Sequence, residues 1–291
     1  MTLKLSTTML VVSAVLLTGC MSTYEPIKVM PSNGQQGMPA DYAKFDSILS
    51  ASKLQISTPN AKEGSKNEVA TNSNFAGVMD ENFYVDKGSE ALVFKMEGYK
   101  LRNELRILEN FKTDDPYKIY KLSADLMLID PMNAIKNSDP ERDEMTFLQV
   151  HNKGTHDDGK HGAGYIPHPL VRIVWEGERR GITNHYWAIV KSNAVNCSKE
   201  MGNREKQVCK KAYIRYDLGE HDPVNPVHFD ITVGDRRLQI DFNGDNVVDH
   251  NLDYWTHMRS YFKAGVYNQF EKGQSEAHFY NLKYTVEEIK F

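Results

Sequence analysis

The stretch YFKAGVYNQ, Tyr261 to Gln269, alternates with a period of two. Phe262, Ala264, Val266 and Asn268 fall on one side, followed in phase by Phe270. Tyr261, Lys263, Gly265, Tyr267 and Gln269 fall on the other. This pattern predicts a half-buried β-strand. Similar short runs recur along the chain: ALVFKM, KLRNELRIL, YKLSADLMLI, MTFLQVHN, LVRIVWE, HYWAIVK, AYIRYDL, VHFDITV, RLQIDFNG and HFYNLKYTVEE. Asp, Gly, Asn and Pro separate them, and long helical periodicity is scarce. Many short strands between turn signals predict an all-β chain, a β-sandwich or jelly roll. No internal repeat and no linker interrupt residues 43–291, so one large domain is expected there. The stretches 57–77 and 154–169 read as surface loops.

The N-terminus has its own signature. Lys4 precedes an apolar run, Met9 to Leu17, too short to span a membrane comfortably, and LTGC (17–20) follows. This resembles a bacterial lipoprotein signal, with residues 1–19 removed and Cys20 acylated. Met21 rather than Asp follows the Cys, so the expected location is the cell envelope, lipid-anchored at the outer membrane. Residues 20–42, rich in Pro, Gly, Ser and Gln, read as a flexible tether. With Cys20 assigned to lipid, Cys197 and Cys209 remain, and an exported chain favours a disulfide between them. Closing so short a loop stabilises by roughly 3 kcal/mol on the chain-entropy model.

Three strands share an anomaly. In LRNELRIL, Arg102, Glu104 and Arg106 share one face and Leu101, Leu105 and Ile107 the other. In TFLQVHN, Gln149 and His151 oppose Leu148 and Val150. In YFKAGVYNQ the outward face carries Tyr261, Lys263, Tyr267 and Gln269. Any one strand has an ordinary explanation, such as a cross-strand ion ladder or a packed edge aromatic. Together, three outward faces of donors, titratable groups and aromatics predict a groove for a polyanion that also holds acid and base groups.

RNELR (102–106), QVH (149–151) and YFKAGVYNQ (261–269) resemble, in order, the three signature strands of the alginate lyases of polysaccharide lyase family 7. KFDSILSASKLQISTP (44–59) is similar to the family's first strand region. The resemblance covers roughly residue 43 to the C-terminus; the nine-residue match is its most specific part and 154–255 its least matched. It implies a jelly roll whose concave sheet forms the cleft. It also implies cleavage of a 4-linked uronate chain by β-elimination. A lyase on another uronan such as glucuronan, or a polysaccharide-binding lipoprotein without turnover, are the rival readings; binding alone needs neither His151 nor Tyr267.

The reaction removes the C5 proton and expels O4. The sugar carboxylate must first be neutralised, a task for preorganised donors. The resemblance gives this role to Gln149, His151 and an arginine of RNELR, Arg102 or Arg106, with Glu104 orienting them. In mannuronate the C5 proton and O4 share a side, so Tyr267 alone can move the proton. In guluronate they do not, and His151 becomes base with Tyr267 as acid. A phenol near 10 is a reluctant base, so Lys263 and the arginines are expected to favour the phenolate. Lys263, Tyr261, Gln269 and Asn268 are expected to bind sugar, and Gly265 to leave room for it. The resemblance also implies, through Val150 in QVH, a lean towards mannuronate, though one methylene is worth only about 1 kcal/mol.

Other signals are weaker. His156, Asp157, Asp158, His161 and His168 lack metal-site spacing, and the elimination needs neither metal nor cofactor. DFNGDNVVD (241–249) misplaces the Gly and final Glu of a calcium loop and reads as a hairpin turning at Asn243-Gly244. The formal net charge of −4 argues against nucleic acid as a partner. A monomer is expected.

Overall fold

The computed structural model describes residues 24–136, 144–156 and 160–289. Its strands, in chain order, are β1 (Gln36–Gly37), β2 (Ser52–Ile56), β3 (Asn67–Val69), β4 (Phe83–Asp86), β5 (Leu92–Glu97) and β6 (Arg102–Ile107). There follow β7 (Phe111–Lys112), β8 (Lys118–Leu128), β9 (Ile135–Lys136), β10 (Glu144–Gly154), β11 (Val171–Arg179) and β12 (Ile182–Lys191). The last six are β13 (Tyr213–Glu220), β14 (Val227–Gly234), β15 (Arg237–Phe242), β16 (Asp245–Asn251), β17 (Arg259–Gln269) and β18 (Lys272–Glu288). Each alternating run noted in the sequence lies in one of these strands.

Two antiparallel sheets form. One has the order β1-β4-β5-β18-β8-β14-β15-β16, the other β13-β12-β11-β10-β17-β6-β2-β3. Sequence neighbours such as β5 and β6 sit in different sheets, as a jelly roll requires. The facing sides supply the core. Phe94, Leu122, Leu126 and Phe229 come from the first sheet, and Leu105, Phe147, Tyr186, Phe262 and Val266 from the second. Phe147 meets Phe229 edge-on at 5.4 Å between centroids, a favourable aromatic arrangement. The opposite faces of β6, β10 and β17 carry the polar residues, so the alternation that builds the core also presents the site.

The expected hairpin forms between β15 and β16, with Asn243 at φ 50° and Gly244 at φ 86°. Two consecutive positive φ values are what a tight two-residue hairpin needs. Cys197 and Cys209 are joined as a disulfide. The expected tether is revised. Cys20 lies outside the described residues, but the chain from Tyr24 onward is laid on the domain. β1 pairs with β4, and Ser32 donates to Asp86 at 2.6 Å. Tyr24 stacks on His228 at 5.5 Å and its hydroxyl donates to Asp125. Composition signalled a flexible segment; its few aromatic and hydroxyl groups suffice to dock it.

His228 has carboxylates on both ring nitrogens, Asp125 at 2.7 Å and Asp230 at 3.3 Å. Its hydrogen bonds to Asp125 and Asp230 raise the imidazolium to about 9 against partial burial. A raised folded value means stability fully present below about 6.5 and lost as pH rises through about 9. His228→Asn should therefore cost about 1–3 kcal/mol at pH 6 and much less at pH 9.5, read from urea midpoints. An equal loss at both pH values would contradict this linkage.

Candidate active site

The register of β10, β17 and β6 stacks the polar groups in rows. Tyr267 lies between Thr146 and Arg102, Lys263 between Gln149 and Arg106, and His151 opposite Tyr261. Gly265 lies opposite Glu104. These groups point away from the core, yet several are buried: Glu104 is 2% exposed, Lys263 1% and Gln149 3%. Their burial distinguishes this face from a solvated sheet.

Glu104 is the centre. Gln149 Nε2 and Lys263 Nζ both donate to its carboxylate, and Arg102 Nη1 lies 3.5 Å away. Three strands thus meet at one carboxylate. Desolvation pulls the Lys263 ammonium down to about 7, with Glu104 opposing and Arg102 assisting. Lys263 was expected to bind sugar; its burial and its bond to Glu104 place it beneath the cleft floor instead. Glu104 likewise faces its protein partners, in keeping with an orienting role rather than a sugar contact.

The two arginines separate cleanly. Arg106 Nη1 donates to the carbonyls of Ile107 and Leu108, Nη2 donates to Asn110, and the guanidinium lies 4.0 Å from the Tyr261 ring centroid. Both of its terminal nitrogens are engaged by protein, which sets it apart from the carboxylate role expected of it. Arg102 lies 4.5 Å from the Tyr267 ring centroid, and among the described residues its buried Nε has no partner.

His151 is half-buried and stacks on Tyr261 at 5.5 Å. Burial and the charge of Lys263 pull the imidazole down to about 3, so it is neutral at ordinary pH. Its Nδ1 lies 2.9 Å from the amide nitrogen and 3.0 Å from the carbonyl of Asn152, so either tautomer finds a partner on that side. Burial pushes the Tyr267 phenol up, with Arg102 and Arg172 pulling it back. The expected bias to phenolate is therefore not met at rest. Tyr261 is pushed up to about 12, chiefly by burial.

Two further expectations change. The Asn268 amide donates to the carbonyls of Met96 and Gly98 and accepts from Ser275. It faces the interior and joins the two sheets, as its alternation phase indicates, so the sugar contact expected of it is withdrawn. Gly265, at φ 140°, has no room for a side chain, because a Cβ would lie 2.2 Å from the Asn103 carbonyl oxygen. The glycine admits the neighbouring strand rather than the sugar.

Two residues were missed. Arg172 on β11 donates to both Glu144 and Gln269, fixing the Gln269 side chain. Its outward phase in LVRIVWE was a usable signal. Lys66, in the first loop, lies near enough that Arg102 and Glu104 both shift it, although burial is the largest cause of its lowered value. Nothing in the local sequence marks it. Of the discounted cluster, Asp157 and Asp158 lie outside the described residues, and His161 stacks on Tyr165.

Comparisons with known proteins align with this geometry. The sequence model of the alginate lyase family matches residues 48–286. An alginate lyase of Photobacterium sp. (strain ATCC 43367) is 48% identical over 281 residues, 95% of this chain and 97% of that protein. The structure of alginate lyase AlyC3 in complex with dimannuronate is similar at TM-score 0.84 and 47% identity, covering 91% of this chain and 100% of that one. Alginate lyase A1-II′, of polysaccharide lyase family 7, shares the fold at TM-score 0.60 and 20% identity, covering 84% and 99%.

Lys263→Met would leave Glu104 buried against Arg102 and an amide. A loss of about 3–5 kcal/mol is expected, because the remaining charge keeps its desolvation penalty. Adding Glu104→Gln should restore part of it. Urea midpoints of both variants check this, and a double variant that recovers nothing would sink the account.

Proposed function

The chain belongs to the alginate lyase family and is an alginate-cleaving polysaccharide lyase, and from that premise we propose that the face of β6, β10 and β17 is its catalytic site. The observation that carries the residue assignment is the contrast between the arginines: among the described residues a buried donor of Arg102 beside Tyr267 has no partner, while both terminal nitrogens of Arg106 are engaged. Arg102 and Gln149 hold the sugar carboxylate, Gln149 through the amide hydrogen that Glu104 does not take. His151 contributes a hydrogen bond from Nε2 when Nδ1 accepts from Asn152. Neutralising the carboxylate acidifies the C5 proton, and the donors follow the charge as it moves towards the enolate.

Tyr267 first gives its own proton to solvent; the phenolate then takes the C5 proton and the re-formed phenol delivers it to O4, leaving phenolate at the end of the turnover. Because its phenol holds its proton at rest, it is a ready acid and a costly base. Arg102, 4.5 Å from the ring centroid, is the charge that favours the phenolate when the proton leaves. One residue doing both jobs fits mannuronate, whose C5 proton and O4 share a side. Two features support mannuronate-rich chain as the preferred substrate: Val150 in QVH, and the 47% identical relative solved with dimannuronate. In the other tautomer of His151, Nε2 is the free acceptor that guluronate would need.

Purified protein with polymannuronate, polyguluronate and glucuronan, followed by ultraviolet absorbance of the 4,5 double bond, tests the assignment. The signal should rise fastest on polymannuronate. Tyr267→Phe should lower the rate by more than about a hundredfold, the range of lost acid–base catalysis. A Tyr267→Phe variant of near-normal rate would remove Tyr267 from the mechanism. Flat traces from a protein that still binds alginate would indicate a receptor.

The sequence LTGC also supports a lipid anchor at Cys20 that holds the enzyme at the outer membrane. Cys20→Ala should move the protein from the membrane to the soluble fraction and abolish incorporation of labelled palmitate. Unchanged fractionation would exclude the anchor.

A further inference from the structure

The catalytic rows occupy only the middle of their sheet, whose outer strands β11, β12 and β13 continue the same face. There Val174, Trp187 and Ile189 form an apolar cluster separate from the main core, with Tyr213 packed against it. On a sheet face directed away from the core, apolar side chains need a reason. Beside this floor opens a pocket of about 360 Å³ lined by Arg179, Arg180, Ile182, Trp187, Tyr213 and Arg215. The lining holds three guanidiniums and no carboxylate.

Three arginines line the pocket, and two glutamates of β11, Glu176 and Glu178, lie beside them. Glu176, whose side chain is 3% exposed, accepts from Arg179 at 3.0 Å and lies 3.8 Å from Arg215 Nε. Glu176 thus faces two arginines, with Glu178 at the hairpin and Glu144 acting on Arg215 from farther off. Asp217 on β13 is engaged by His185 at 2.7 Å. Arg180 sits at the tip of the β11–β12 hairpin, exposed and at φ 50°. In a chain of net charge −4 this concentration of arginine is local.

We propose that this pocket is a distal uronate subsite, in which the arginines hold the carboxylate of a sugar bound several units from the scissile bond and the Trp187 and Tyr213 surface receives its ring. The proposal rests on the lyase reading and extends it along the chain of the substrate. Planar guanidiniums match carboxylates with two parallel hydrogen bonds. A few oriented polar groups over an apolar floor are the usual composition of a ligand pocket. β12 and β13 lie two and three strand spacings from β10. At about 4.8 Å per spacing this is about 10–14 Å, beyond one sugar ring. Arg172, paired with Glu144, lies between the two regions on β11. A polymer that presents one carboxylate per sugar can use every station; a short oligosaccharide centred on Tyr267 cannot.

The test compares substrate lengths. Arg180→Asn suits the left-handed turn, and Arg215→Gln removes a second charge from a different strand, so the two do not share a folding risk. For each, kcat and KM are measured on alginate polymer and on the shortest oligosaccharide that the wild type cleaves. KM on polymer should rise about five- to tenfold with kcat unchanged, the effect of about 1 kcal/mol of lost binding. The short substrate should be unaffected. No change on polymer, or equal losses on both substrates, would overturn the subsite. Calorimetry of a heptasaccharide binding to Tyr267→Phe protein, with and without Arg180→Asn, reads the same pocket without turnover. Weaker binding supports it and equal binding overturns it. A wild type without turnover would defeat the lyase reading, while calorimetry would still decide the pocket.

Discussion

A carboxylate buried outside the hydrophobic core needs compensation, and here the compensation organises the protein. Glu104 collects Gln149 from β10, Lys263 from β17 and Arg102 from its own strand. Leaving any of these partners out would strand charge or a polar group in a desolvated place, at a cost of several kcal/mol. The arrangement is satisfied only in one register of the three strands. A slip by one residue would turn Glu104, Gln149 and Lys263 into the core and Leu105, Leu148 and Phe262 out of it. The interaction that holds the cleft floor and the one that fixes strand pairing are therefore the same.

β17 shows how one strand serves both sides. Ala264, Val266 and Phe262 seal the core, while on the opposite face Tyr261 and Tyr267 flank Lys263, buried against Glu104. Against β10 the pairing shifts between Thr146 and Leu148, so that three steps along β17 match two along β10. Gly265 lies within this irregularity, pressed against the Asn103 backbone. An irregularity of this kind bends a strand and re-aims its side chains. Its place between Lys263 and Tyr267 sets the phenol apart from the buried ammonium. Tyr267 then answers to Arg102 and Arg172, whereas Lys263 answers to Glu104. Asn268 secures the far end by bonding across to β5, so the strand that carries the phenol is tied to both sheets.

Alternation made the fold and the membership of the cleft face legible, because phase alone decides which side of a sheet a residue takes. It put His151, Gln149, Arg102 and Tyr267 on outward faces, and the family resemblance joined those faces into one site. It does not report depth. Arg102 and Arg106 have the same phase, yet one meets the open cleft and the other meets backbone carbonyls and Asn110 at the strand's end. Lys263 has the phase of a sugar contact and the burial of a structural cation. Asn268 had the phase of the interior, and the motif it belongs to drew it wrongly to the cleft. Lys66 enters from a loop, where no periodicity exists to read. Loop closure and the docking of residues 24–42 depend on contacts distant in sequence, which a local pattern cannot encode.

The resting electrostatics of the site follow from what burial does to each group. Desolvation disfavours charge, so it neutralises His151, weakens the hold of Lys263 on its proton and keeps the Tyr267 phenol protonated. Arg102 is different, because a guanidinium holds its proton even when partly desolvated. Its Nη1 lies 3.5 Å from Glu104, while among the described residues its Nε has no partner, a donor that a further anion would satisfy. A uronate carboxylate meets that requirement and removes the electrostatic reason for the phenol to stay neutral only in part, since the same guanidinium still lies over the ring. In the proposed mechanism this competition is used: charge passes from phenolate to the sugar's carboxylate system and returns to phenolate as O4 leaves protonated, and the guanidinium supports each in turn without moving, the kind of preorganisation a rigid sheet supplies.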